Sequence, residues 1–396
     1  MLHFDISQAD SVLQNPKTSK KSQTSKTAKK SIPISQPSIT QLETEYVTDV
    51  LNSGWISSIG KYITMFEERF AEYCGTKYAL TTSSGTTALH LALITYGIKA
   101  GDEVIVPDLT FIATANAVAY TGAKPVFVDI EEDTLCIDPA KIEQAITQNT
   151  KAIIPVHLYG HPANMIEINR LAQKYGLYVI EDAAEAHGAE IHGQKTGSLG
   201  HCGTFSFYGN KIMTCGEGGM LTTNDELFYL KAKYLRDHAM SSSKRYWHDE
   251  IGYNYRMTNL QAALGLAQLE RIDKFIDKKK EIFSLYQKNL SGIPGLKLNF
   301  TANWASNVYW LVCLEIEGFT ETERASLMEG LKLKGIETRA YFYPMSDMPM
   351  YNNQATHTPI THKVYQRGIN LPSYFDMKDE DIVYTCNSIR DYLETL

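Results

Sequence analysis

The chain has 396 residues, 43% of them hydrophobic and 21% charged, with a net charge of −7. That is an ordinary globular composition, too long for one small domain, and it argues against a wholesale binder of nucleic acid or of an anionic membrane surface. The six cysteines form no CxxC pair, which suits reduced thiols in a cytoplasm, and no run approaches the roughly 18 apolar residues of a membrane span.

Residues 1–31 carry six lysines against Asp5 and Asp10, a charge of +4 that leaves −11 for the rest. Between Asn15 and Ser31 nearly everything is Ser, Thr, Lys or Gln. Such a stretch cannot bury enough apolar surface to offset its ordering entropy, so a disordered tail is expected. It has neither the apolar core of a secretory signal nor the arginines of a transit peptide.

Order is expected from Ile32. Thr40 can cap a helix to about Leu51, and a second helix over Ile63–Tyr73 ends at Gly75. An alternation follows: strand Tyr78–Thr81, helix Thr86–Tyr96, strand Glu103–Val106, helix Phe111–Tyr120, strand Pro125–Val128, helix Pro139–Ile146, strand Ala152–Val156, helix Met165–Tyr175, strand Tyr178–Ile180. Strand–helix–strand at this spacing implies right-handed crossovers and a mostly parallel sheet covered on both faces, an α/β fold. One long amphipathic helix is expected over Leu260–Leu290. Past the Gly-Ile-Pro-Gly run at 292–295 the pattern changes to strand Val308–Leu314, helix Glu321–Lys334, an irregular Tyr/Pro/Met-rich loop and helix Asp379–Leu393. The expected division is a tail to residue 31, a large domain over 32–290 and a smaller C-terminal α+β domain over 291–396.

In open parallel sheets, ligands gather at the carboxyl ends of strands, and three such places carry informative residues. In TTSSGTTALHLAL, Gly85 allows close backbone approach where a helix begins, so amides and hydroxyls converge on a site for an anion; Ser84 as a plain helix cap is the blander reading. Asp182 follows the apolar Tyr178-Val179-Ile180, where a carboxylate is partly buried and needs either a structural hydrogen bond or a cationic partner. In GTFSFYGNKIMTCGEGGMLTTND, Phe205 and Phe207 alternate with Ser206 and Tyr208 in the strand manner. Gly209-Asn210 then breaks the strand and Lys211 follows. Desolvation there would lower that lysine's pKa and leave a nucleophile; a surface lysine in a hairpin loop is the alternative.

A nucleophilic lysine, a carboxylate and a phosphate cradle together are what a pyridoxal phosphate enzyme needs. Competing motifs are weak. GAEIHGQKT has Gln194 between its second glycine and Lys195 and no strand leading in, and no GxGxxG follows the first strand. His157 and His161 lie four apart but without an HExxH motif, and with His187, His192 and His201 they read as scattered loop histidines, so no metal is expected.

The motifs SSGTTALHLAL, VIVPDLTFIATANAV, VIEDAAEAHGA, TFSFYGNKIMTCGEGGM, IGYNYRMTNLQAALGLAQLERID and GINLPSY occur in order from Ile32 to the C-terminus. Together they resemble the sugar-nucleotide aminotransferases of the DegT type, among the fold-type-I pyridoxal phosphate enzymes. The resemblance implies 4-amination of a nucleotide-linked 4-keto-6-deoxyhexose, GDP-linked first and UDP- or dTDP-linked as alternatives. L-glutamate would be the amino donor, in a cytoplasmic homodimer with no membrane or nucleic-acid partner. Related sugar 3-dehydratases carry histidine where this chain has Lys211, which disfavours dehydration; a non-catalytic cofactor-binding regulator is a further alternative.

The roles implied are these. Lys211 would hold the cofactor covalently and shuttle the proton. Asp182 would pair with the pyridine nitrogen, Glu185 would sit near the phenolic oxygen, and Phe111 would contact the ring face. Gly85, Thr86 and Ser206 would hold the phosphate, and Asn254 would reach the phosphate in the partner subunit. Arg339, with Tyr343 nearby, would meet the nucleotide sugar. Two departures from the pattern, Ser346 for a common histidine and Ala340 for a common proline, bear on sugar recognition.

Overall fold

The computed structural model describes residues 31–352 and 356–395; the expected tail lies, Ser31 apart, outside them. The central sheet has seven strands: β1 (Tyr78–Thr82), β2 (Glu103–Pro107), β3 (Lys124–Val128), β4 (Thr150–Ile153), β5 (Tyr178–Asp182), β8 (Cys202–Ser206) and β9 (Gly219–Thr223). A small ribbon of β6 (Glu190–Ile191), β7 (Gln194–Lys195) and β11 (Ala305–Ser306) lies apart from it. The strand order is β1-β9-β8-β5-β4-β2-β3, and every neighbouring pair is parallel except the two that β9 makes. The mostly parallel α/β sheet is thus as read from the alternation, and β9 is antiparallel because a short connection, 207–218, joins it directly to β8. Buried apolar residues lie on both faces of the sheet, as parallel strands require.

Thr40 does cap the first helix, Gln41–Ser53: Glu43 returns its carboxylate to the Thr40 amide at 2.7 Å. The second helix, Lys61–Cys74, stops at Gly75 with φ 75°, a left-handed turn that glycine adopts without strain.

Three expectations are corrected. The long helix is two, Asn259–Leu269 and Ile272–Leu290. At the break Arg271 has ψ 1°, and its guanidinium reaches the Ser38 carbonyl at 3.1 Å and pairs with Glu43, so a tertiary ion pair interrupts an otherwise helical pattern. A helix at Glu226–Arg236, capped by Asp225, was not expected. The loop near the C-terminus contains the helix Pro359–Arg367, with proline at its start. The second sheet, β10 (Leu296–Leu298), β12 (Val312–Ile316), β14 (Gly368–Leu371) and β13 (Arg339–Ala340), is antiparallel throughout. Its core takes in Ile32 and, from the helix Ile272–Leu290, Ile282, Phe283, Tyr286 and Leu290. No helix among the described residues is long and apolar enough to cross a membrane.

Candidate active site

The carboxyl ends of β1, β5 and β8 open on one cavity of about 310 Å3. Strand alternation sends two successive carboxylates of β5 opposite ways. Glu181 turns from the cavity and accepts the amides of Gly197 (2.8 Å), Leu199 (2.7 Å) and Gly200 (2.6 Å), with His157 Nε2 at 2.9 Å. Since His157 Nδ1 accepts the Ala163 amide at 3.0 Å, its proton lies on Nε2, toward Glu181. Asp182 turns toward the cavity. It accepts from the Thr114 hydroxyl at 2.8 Å and the Ala184 amide at 3.3 Å, and makes no ion pair among the described residues. Burial raises its pKa, with the Thr114 and Ala184 bonds and the Lys211 charge pulling the other way.

At the end of β8 the chain closes a turn in which the Lys211 amide donates to the Tyr208 carbonyl at 3.0 Å. This brings the Lys211 side chain back under the sheet. Its Nζ lies 3.4 Å from Glu185 Oε1 and 4.0 Å from the centre of the Trp310 ring. Glu185 accepts the Tyr159 amide at 3.0 Å; burial raises its carboxyl pKa, against the pull of Lys211. The Trp310 indole in turn donates to the Asn210 carbonyl at 2.8 Å. Beneath this turn His187 packs against Phe205 and Phe207, and burial pushes its pKa down to about 3.

Across the cavity, the helix Gly85–Thr95 begins. Ser84 accepts the Thr87 amide at 3.2 Å, while the amides of Gly85 and Thr86 have no acceptor among the described residues, as the first turn of a helix dictates. Ser84 is thus a cap, and Ser84, Gly85 and Thr86 line the cavity. A Cβ on Gly85 would stand 2.7 Å from Ser206 Cβ, so glycine is what lets the loop meet the end of β8. The loop is braced from behind by the Gly-Tyr-Asn-Tyr run at 252–255: the Ser83 amide donates to the Tyr255 carbonyl at 2.9 Å, and the Tyr255 hydroxyl meets His90 Nδ1 at 2.9 Å.

Of the residues picked out from sequence, Gly85, Thr86, Phe111, Asp182, Glu185, Ser206, Lys211 and Arg339 line this one cavity. Tyr343 does not: it is exposed against Tyr365, and Phe342, stacked 5.6 Å from Tyr159, takes the cavity wall instead. Asn254 is exposed and outside this chain's cavity, bonded to Arg256 at 3.1 Å. Ser346 also lies off the wall, buried and donating to Asp108 at 2.8 Å, so the departure there is absorbed by a structural carboxylate. Sequence reading missed Thr114, whose cue is the TFIATANAV run, and Trp310, which arrives from the second sheet and has no local cue.

An uncommitted buried carboxylate, an amine, and a glycine-opened helix start with free amides on one cavity fit pyridoxal phosphate. A model of the DegT/DnrJ/EryC1/StrS aminotransferase family matches residues 37–390. The chain belongs to that family. It is 48% identical over 363 residues to GDP-perosamine synthase of Escherichia coli O157:H7, covering 92% of this chain and 99% of the relative. To GDP-perosamine synthase of Vibrio cholerae it is 42% identical over 367 residues, covering 92% and 100%. Among solved structures, a putative sugar aminotransferase from Streptococcus pneumoniae, in a PLP form, superposes with a TM-score of 0.87 at 29% identity, covering 92% and 99%. The protein is therefore a pyridoxal phosphate-dependent sugar aminotransferase of fold type I.

Proposed function

We propose that this enzyme transfers the amino group of L-glutamate to C4 of a GDP-linked 4-keto-6-deoxyhexose, giving the 4-amino-4,6-dideoxy sugar, GDP-perosamine. The observation that carries the reading is the convergence of Lys211, Asp182 and the Ser84–Thr86 helix start on one cavity, in a chain alike over nearly its whole length to two enzymes named for that product. When bound, the cofactor supplies an aldehyde for the amine and a ring that draws electrons from the substrate carbon.

The chain's own residues do the rest. Lys211 Nζ would hold the cofactor covalently and would move the proton to and from the substrate carbon. Asp182, set by Thr114 and Ala184, would pair with the ring nitrogen and favour its protonated form, because a buried carboxylate favours a positive charge beside it. Glu185 would sit near the ring's phenolic oxygen, and the amides and hydroxyls of Gly85, Thr86 and Ser206 would hold the phosphate. Phe111 would contact the ring face and Arg339 would meet an anionic group of the nucleotide sugar, while Tyr343, off the cavity wall, would reach the sugar only from outside it. Asn254, exposed and outside its own cavity, serves a second copy in a homodimer. We also assign residues 32–290 and 291–396 to separate domains.

The test is incubation with glutamate and a panel of GDP-, UDP- and dTDP-linked 4-keto-6-deoxyhexoses, followed by mass spectrometry. An amino sugar on GDP and 2-oxoglutarate in equal amounts is the expected result. An amino sugar on another nucleotide alone refutes the GDP assignment, and loss of a hydroxyl without gain of nitrogen refutes transamination.

A further inference from the structure

In the middle of the helix Ile272–Leu290 stands Lys279, buried, with no carboxylate partner among the described residues, and lining with Lys211, Gln268 and Ser373 a small cavity beside the main one. Its ammonium donates to three oxygens: the Trp310 carbonyl at 2.8 Å, the Ser373 hydroxyl at 2.8 Å and the Ser373 carbonyl. Trp310 enters the second sheet just ahead of β12, and Ser373 leaves it just after β14. One side chain thus ties both segments to a helix. Its burial is adverse to the charge, pushing the pKa down to about 7. An apolar residue would avoid that cost but would leave three oxygens without their donor.

What the lysine holds is the floor of the cavity. The residue whose carbonyl it grips presents its indole on the other side, with Nε1 fixed on the Asn210 carbonyl at 2.8 Å and the ring face 4.0 Å from Lys211 Nζ. Asn210 immediately precedes Lys211 in the turn that aims it. We propose that Lys279 is a positioning residue for amino transfer, acting through Trp310 to hold the turn and the amine of Lys211 in place. This rests on the reading of Lys211 as the cofactor-bearing lysine. An indole face attracts an ammonium, and small displacements of a reacting group are costly: about 1 Å can cost on the order of 100-fold in rate.

The experiment uses the full chain with Lys279→Met, Lys279→Arg, Trp310→Phe and the Lys279→Met/Trp310→Phe double variant. Three readouts are taken: melting temperature, the fraction of Lys211 carrying cofactor after borohydride reduction and mass analysis, and kcat against KM. Lys279→Met is expected to fold with a lowered melting temperature, since three oxygens lose their donor, while kcat and Lys211 loading fall by roughly tenfold and sugar KM stays within about twofold. Lys279→Arg, which keeps the charge, should recover most of the loss. If the lysine acts through the indole, its replacement should matter much less in the Trp310→Phe background.

Wild-type loading and kcat in Lys279→Met, or additive effects in the double variant, would overturn the proposal. Should Lys279→Met not fold, Lys279→Gln, which keeps donors without charge, is put through the same cycle and judged by the same outcomes. If the wild type loads cofactor but aminates no nucleotide sugar, the functional reading fails while the loading comparison still decides the role of Lys279.

Discussion

The Thr114 hydroxyl donates to Asp182 Oδ2 at 2.8 Å, and that bond and the Ala184 amide on the other oxygen are the hydrogen bonds this buried carboxylate accepts among the described residues. Its pKa is raised by burial. A carboxyl whose pKa is higher folded than unfolded favours folding at low pH, and that advantage is lost as pH rises. Asp182→Asn should therefore raise the melting temperature of cofactor-free protein at pH 7 to 8, with the difference shrinking toward pH 4. Turnover should fall by roughly 100-fold or more, since a fixed charge facing the reacting ring is removed. Unchanged turnover would end the proposed role of Asp182.

Lys211→Ala removes the amine itself. Proton transfer by a positioned base is worth roughly 10²–10⁴-fold, and covalent attachment is lost as well, so turnover should drop at least that far. Borohydride treatment followed by mass analysis should find no cofactor on the chain. A variant that keeps full activity would remove Lys211 from the mechanism.

Gly85→Ala tests the cradle. The added methyl would stand 2.7 Å from Ser206 Cβ, and such overpacking costs about 1–3 kcal/mol. Because the crowding falls on the two segments proposed to share the phosphate, cofactor affinity measured by titration of cofactor-free protein should weaken more than the melting temperature falls. Equal affinity would separate this loop from cofactor binding.

His187 predicts an acid-sensitive step. Its pKa is about 3 folded against about 6.5 for an ordinary histidine. Below 6.5 the unfolded chain takes the proton that the folded chain refuses, so this contribution to stability is present above pH 6.5 and is lost as pH falls toward 3. By pH 5 the loss is about 2 kcal/mol from this group. His187→Phe, in a pocket already lined by Phe205 and Phe207, should lose less stability than wild type between pH 7 and pH 5 in urea titrations. Identical slopes would show that His187 accepts a proton in the folded state.

Ser346→Ala leaves Asp108, buried and raised in pKa, with its remaining bonds from Thr358 at 2.6 Å and the Ser346 amide at 2.7 Å. Stability should fall by about 1–3 kcal/mol, while KM for the nucleotide sugar stays unchanged, because Ser346 is not on the cavity wall. A selective rise in KM would return this position to sugar recognition.

Much of the molecule was decided by local rules that any reader of the chain can apply. The strand–helix alternation from Tyr78 to Ile180 dictated a mostly parallel sheet, and Gly209-Asn210 dictated the turn that aims Lys211. The remainder depended on contacts between residues far apart in sequence, which leave no periodic trace. Arg271 breaks a helix because Glu43 lies some 230 residues upstream. Phe342 rather than Tyr343 lines the cavity because Tyr159 offers a ring to stack on. Trp310 reaches Lys211, and Lys279 reaches Trp310, only across long stretches of chain, and burial, unlike spacing, is a property of the assembled fold.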